Sequence, residues 1–153
     1  RDGFTHLYLY HNNGELIRQV TQGDWVITSI DAIDEKEEVI YFSGRADTPL
    51  ETHLYSIDFA GKNLTRITPA DQYNAVNFSS DATVFVNSFS TINTPPQTGL
   101  YRAEGSLITW LDENALDMNH PLTNYYENWI APEFGTIKAD DGTELYYRLY
   151  RGW

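Results

Sequence analysis

The chain has 153 residues, enough for one ordinary domain with its own core, and its ten Lys plus Arg against twenty-two Asp plus Glu give a formal net charge of −12. An acid excess of that size reads first as solubility, and it argues against nucleic acid and anionic membrane as partners. There is no Cys, so disulfides and thiolate metal sites are excluded, and no apolar run reaches the roughly 20 residues that span a bilayer.

Eleven Tyr, seven Phe and four Trp suit strands and packed sheet faces. Leu7–Tyr10 is the first strand candidate. Asn12-Asn13-Gly14 follows as a hairpin turn, and Leu16–Val20 returns. Trp25–Ile30 and Val39–Phe42, separated by the charged turn Asp34–Glu38, complete a first set of four. The second set is Leu54–Phe59, a turn at Ala60-Gly61-Lys62, Leu64–Ile67, Ala75–Phe78 and Val84–Asn87. A third set begins at Leu100-Tyr101 and Leu107–Leu111 and then loses its pattern. Glu113–Asn119 reads as one or two helical turns. Pro121 and Pro132 bracket an Asn- and Tyr-rich ordered linker. Phe134–Ala139, Asp140-Asp141-Gly142 and Glu144–Tyr150 form a last hairpin, because Asp-Gly between alternating strands is a strong turn signal.

A loose repeat organises this series. His6-Leu7-Tyr8 returns as His53-Leu54-Tyr55, Gly14 as Gly61 and Thr21 as Thr68, each 47 residues on. A weaker copy starts at Gly99-Leu100-Tyr101. Strand-built repeats of about 40–50 residues indicate propeller blades, four-stranded sheets stacked face to face. Strands that are apolar on both alternating faces, such as Val39–Phe42, agree with stacking. The expected fold is all-β: a partial propeller of two to three four-stranded antiparallel blades plus a C-terminal hairpin. Blades occupy 1–112, a linker with a short helix 113–131 and the hairpin's domain 132–153. A closed propeller needs at least about four blades, so the chain reads as a piece of something larger. Trp25 is expected in the core, with a cost of about 3–5 kcal/mol on truncation to Ala.

Site chemistry is sparse. The chain has no Gly-x-Ser-x-Gly elbow, no His-Glu-x-x-His motif and no phosphate-cradling loop. The His residues are His6, His11, His53 and His120. His6 and His53 share a repeat position, which points to a structural role. Asp140, Asp141 and Glu144 lack the ligand spacing of a calcium loop, and turn chemistry accounts for them. Asn63-Leu64-Thr65 and Asn77-Phe78-Ser79 are glycosylation sequons, relevant only to a eukaryotic secretory protein. Tyr125-Tyr126 and Trp129 read as packing at a domain seam, with sugar or peptide binding as the alternative. No catalytic, cofactor-binding or metal residue is assigned, and no cofactor is expected.

Several segments together carry a family resemblance. Arg1–Tyr10 resembles the blade-opening segment of the dipeptidyl peptidase IV family, within the prolyl oligopeptidase class of serine peptidases. Thr21-Gln22-Gly23-Asp24-Trp25-Val26 resembles the segment that follows it, and Ser43-Gly44 through Pro49–Ile57 the next blade start. Phe78-Ser79-Ser80-Asp81 and Ser90–Pro96 are similar to further family segments. Pro132-Glu133-Phe134 with Ala139–Leu145 resembles the strand pair that leads into the α/β-hydrolase domain. One departure is Ala82-Thr83, where the family usually has Gly-Lys.

The resemblance implies an eight-bladed propeller that walls a cavity and admits short peptides, and a hydrolase domain that removes di- or tripeptides after Pro or Ala. The family's triad and oxyanion-hole Tyr lie beyond Trp153, and its substrate-anchoring acids lie before Arg1, so no functional residue carries over. The expected role is scaffold and gate in a bacterial serine exopeptidase, periplasmic, cell-envelope or secreted, whose signal a chain starting mid-repeat would have lost. Its partners would be the hydrolase domain, the other blades, short peptides and a homo-oligomer, with no nucleic acid and no membrane insertion. The rival readings are a propeller-derived protein-binding module and an all-β carbohydrate-binding domain.

Overall fold

The structure is a computed structural model that describes residues 3–152; Arg1 and Asp2 of the blade-opening segment and Trp153 lie outside the described residues. Twelve strands appear where the alternating runs predict them: β1 (Tyr8–Tyr10), β2 (Leu16–Gln19), β3 (Ile27–Asp34), β4 (Val39–Gly44), β5 (His53–Asp58), β6 (Thr65–Arg66), β7 (Tyr73–Phe78), β8 (Val84–Ser90), β9 (Gln97–Arg102), β10 (Leu107–Asp112), β11 (Glu133–Lys138) and β12 (Glu144–Leu149). Their grouping differs from the sequence reading. β1 and β2 form a two-stranded sheet, β3-β4-β5-β6 one antiparallel blade and β7-β8-β9-β10 a second. The blade boundary is thus shifted by two strands, and the supposed third set is the second half of the second blade. The cause is the β4–β5 ladder, which runs unbroken from Val39↔Asp58 to Gly44↔His53 and joins strands that the repeat assigns to different copies.

Four hairpins share one turn. In each, the first residue's N–H bonds the carbonyl four residues on, and a Gly N–H bonds back to the first residue's carbonyl. These pairs are His11/Glu15 with Gly14, Asp58/Lys62 with Gly61, Arg102/Ser106 with Gly105 and Ala139/Thr143 with Gly142. All four glycines have positive φ, as this bulged turn requires. Gly61 is needed twice over, because a Cβ there would sit 2.8 Å from the Val20 carbonyl oxygen. At the β7–β8 turn the same left-handed position is held by Ala82, at φ 56. This is the family departure at Ala82-Thr83: the Ala82 N–H bonds back to the Ser79 carbonyl, but the Ser79 N–H closes on the carbonyl of Val84, five residues on, so the turn is one residue longer than the other four and its left-handed residue carries a Cβ.

The chain divides into two compact units. The first runs through Thr91 and includes Pro96–Asn114. One core cluster of Leu7, Val20, Ile27, Ile40, Phe42, Tyr55 and Ile57 joins the β1–β2 sheet to the first blade. Trp25 packs against this cluster. It lies before β3, not within it, and is only half-buried, because its indole Nε1 reaches out to the Gln22 carbonyl at 2.9 Å. A second seam joins the two blades through Tyr41 of β4 and Phe78 of β7, with centroids 4.8 Å apart, and Phe78 packs on Phe85 of its own blade at 5.0 Å. Burial on both faces holds for β4 and β5 but not for β3, where Ile30 and Ile33 are exposed.

The second unit comprises Ile92–Pro95 and the chain from Ala115. Its helix is a 3-10 helix at Pro121–Asn128, not at Glu113–Asn119. Pro121 supplies the fixed φ of a helix start, and His120 Nδ1 caps it by accepting from the Leu122 N–H at 3.1 Å. β11 and β12 pair in register from Glu133↔Leu149 to Lys138↔Glu144.

Candidate functional site

The repeated histidines build the same device twice. In the second copy, His53 is fully buried at the start of β5. Its Nε2 lies 2.6 Å from Glu51 Oε2, which only accepts, so Nε2 carries the proton. Nδ1 then accepts from the Thr68 hydroxyl at 3.0 Å, and Asn74 Nδ2 is a further donor at 3.4 Å. Thr68 Oγ1 in turn accepts from the Leu54 N–H at 3.1 Å. In the first copy, His6 Nδ1 lies 3.2 Å from Thr21 Oγ1, and Nε2 donates to the Gly23 carbonyl at 2.9 Å. Thr21 Oγ1 accepts from the Leu7 N–H at 2.9 Å.

Thr68, His53 and Glu51 therefore form a hydroxyl–imidazole–carboxylate chain, the atom sequence of a nucleophilic triad. Its surroundings give it another job. Thr68 is 4% exposed, and its oxygen is committed to a backbone N–H. A nucleophile needs an open face for the carbonyl it attacks. The chain instead clasps the loop after β6 to the start of β5 and satisfies a backbone donor that the ladder leaves over. No nucleophile-elbow pattern marks it in the sequence, because the hydroxyl belongs to Thr68 and lies outside any Gly-x-Ser-x-Gly segment. The shared 47-residue offset of His and Thr was the available signal.

Two other polar clusters carry shifted ionisations. Tyr55 donates to Asp47 Oδ2 at 3.2 Å, and Arg66 holds the same oxygen at 2.7 Å. Burial first, and the Asp47 charge second, push the Tyr55 phenol up to about 12. On β3, Asp31 accepts from Ser43 at 2.6 Å and Ser29 at 2.8 Å. Desolvation raises its pKa against the lowering effect of those hydroxyls.

The remaining residues picked out in the sequence are scattered. Asp141 accepts from the Thr143 N–H at 2.9 Å, which is the turn chemistry expected there. Asn63 sits exposed in the turn after Gly61 at φ 57, and Asn77 lies within β7. Tyr126 and Trp129 stack at 6.4 Å, and Tyr125 and Trp129 are largely exposed. His11 belongs to the β1–β2 turn. No group of three or more His, Asp or Glu is placed to hold a metal among the described residues. No described helix is long and apolar enough to cross a membrane.

Residues 1–96 match the family described as the dipeptidyl peptidase IV (DPP IV) N-terminal region. The chain belongs to that family. A probable dipeptidyl peptidase 4 of Emericella nidulans is 30% identical over 137 residues, 82% of this chain and 17% of that protein. Human dipeptidyl peptidase 8 is 26% identical over 145 residues, 86% of this chain and 16% of that protein. The crystal structure of Porphyromonas gingivalis dipeptidyl peptidase 4 superposes with a TM-score of 0.83 at 25% identity, covering 98% of this chain and 21% of that one. The chain thus spans about a fifth or less of these relatives' length.

Proposed function

We propose that this chain is the non-catalytic propeller part of a dipeptidyl peptidase IV-like serine exopeptidase that trims short peptides after Pro or Ala, and that it acts there as scaffold and gate. The observation that carries the reading is the superposition of 98% of the chain on one fifth of a dipeptidyl peptidase 4. In the parent enzyme, stacked blades wall off a chamber, so that a nucleophilic Ser elsewhere meets extended peptides and not folded proteins. Residues 113–131 serve as the linker, and 132–153 open the hydrolase domain. The exposed Phe134, Ile137, Leu145, Tyr147 and Leu149 of β11 and β12 support this, since such a hairpin is marginal in water without a covering partner. The parent works in the periplasm, at the cell envelope or outside the cell.

Two measurements test the proposal. This chain alone is expected to give no turnover of Gly-Pro and Ala-Pro chromogenic substrates. Turnover that survives removal of contaminating peptidases, and that responds to mutation of this chain, would refute the non-catalytic role. The gene read past Trp153 should encode Gly-x-Ser-x-Gly within a few hundred residues, and a reading frame without it overturns the peptidase assignment.

A further inference from the structure

A cavity of about 100 Å³ lies in the seam between the two blades, walled by Ile67, Thr68 and Gln72 on one side and Phe85, Asn87 and Tyr101 on the other. Two buried side-chain oxygens without a donor belong to this wall, Asn87 Oδ1 and Gln72 Oε1.

The orientation of Asn87 is dictated by its neighbours. Asn74 Nδ2 donates to the Thr52 carbonyl at 3.0 Å and the Gln72 carbonyl at 3.3 Å. Carbonyls only accept, so the Asn74 amide cannot be turned round, and its Oδ1 faces Asn87. Asn87 must then present its NH₂, which donates to Asn74 Oδ1 at 2.9 Å. That choice leaves Asn87 Oδ1 as an acceptor on a residue only 2% exposed. Leaving such a group dry carries the full desolvation penalty.

We propose that this interblade cavity is a built water site, holding at most roughly three ordered waters, whose O–H groups donate to Asn87 Oδ1 and Gln72 Oε1. The chemistry of the wall selects water over other occupants. A cation would sit among neutral amides and rings with no carboxylate beside it to offset its desolvation. An apolar guest would leave both oxygens unpaired. The waters extend the chain Thr68–His53–Asn74–Asn87 and tie the His–Thr clasp of the first blade to strand β8 of the second.

A crystal structure of the chain that resolves ordered water is the direct test. Density within hydrogen-bond distance of both oxygens is expected. Density at metal-ligand distances, or none beside either oxygen, overturns the proposal. A second readout does not depend on the lattice. Gln72→Met keeps the length of the side chain and removes the acceptor. With water bound, the folding equilibrium constant in chemical denaturation falls roughly three- to tenfold. With a dry cavity, the variant relieves an unpaired oxygen and is as stable as the parent chain or more so, which refutes the site.

Discussion

Thr68→Val isolates the clasp, because it swaps a hydroxyl for a methyl at nearly constant volume. The hydroxyl makes two bonds inside the protein, to His53 Nδ1 at 3.0 Å and from the Leu54 N–H at 3.1 Å. His53 and Leu54 are both fully buried, so water cannot replace either bond. An orphaned buried polar group costs about 1–3 kcal/mol. Leu54 N loses its side-chain partner outright, while His53 Nδ1 keeps the longer contact to Asn74. The expected loss is about 2–4 kcal/mol, read as a lower denaturant midpoint at unchanged slope. Thr68→Ser keeps the hydroxyl and gives up one buried methyl, about 1 kcal/mol. Thr21→Val makes the same change in the first copy, where His6 is only half-buried, so its loss is smaller, about 1–2 kcal/mol. The ordering Thr68→Val, then Thr21→Val, then Thr68→Ser is the signature of the clasp. A Thr68→Val variant within about 0.5 kcal/mol of the parent chain, the ordinary scatter of a surface change, would refute the reasoning.

Trp25→Ala is expected to cost about 2–3 kcal/mol, below the usual range for a fully buried aromatic, because the indole is half-buried while still stacking on Phe42 at 6.1 Å; urea unfolding checks it. Tyr55 makes the fold alkali-sensitive. Its folded pKa of about 12 exceeds the ordinary 10.0, so the stability held by the protonated phenol is intact below about 10 and is lost as pH rises toward 12. Denaturation curves across that window should show the loss, and Tyr55→Phe should flatten it. The open sheet edges and the exposed hairpin predict association of the isolated chain; light scattering on a sizing column checks this, and a stable monomer with a cooperative melt would contradict it.

The sequence made strands and turns legible because both are local. Asn12-Asn13-Gly14 and Asp140-Asp141-Gly142 carry their own turn chemistry, and the His-Leu-Tyr repeat marks strand starts. Blade grouping was not legible, because it depends on which strand edge pairs across the segment between Gly44 and His53, a non-local choice decided by the β4–β5 ladder. The helix was misplaced for a related reason. Glu113–Asn119 has helix-forming residues, but Asn114 takes φ 39, a left-handed turn, and the next chance to start a helix is Pro121. Trp25 looked like a strand residue from its apolar neighbours. The sequence could not show that Gly23 leaves the space its indole fills, where a Cβ would stand 2.6 Å from Nε1.

The clasp carries the broader lesson about reading sites. Thr68, His53 and Glu51 have the connectivity of a catalytic triad, and distance criteria alone would admit them. Repetition argues otherwise. A reaction needs its nucleophile once, whereas a blade needs its strand start fixed every time the unit recurs. In the first copy the Gly23 carbonyl takes the place of the Glu51 carboxylate, and the geometry is otherwise kept. An acceptor that can be either a neutral carbonyl or a charged acid is there to orient an imidazole in one tautomer. It is not there to stabilise the positive charge that an imidazolium base acquires during turnover, a task for which the carboxylate matters most. The hydroxyl, meanwhile, is held by a backbone N–H in both copies. The constant elements are those that organise the strand, and the variable one is the element that chemistry would demand.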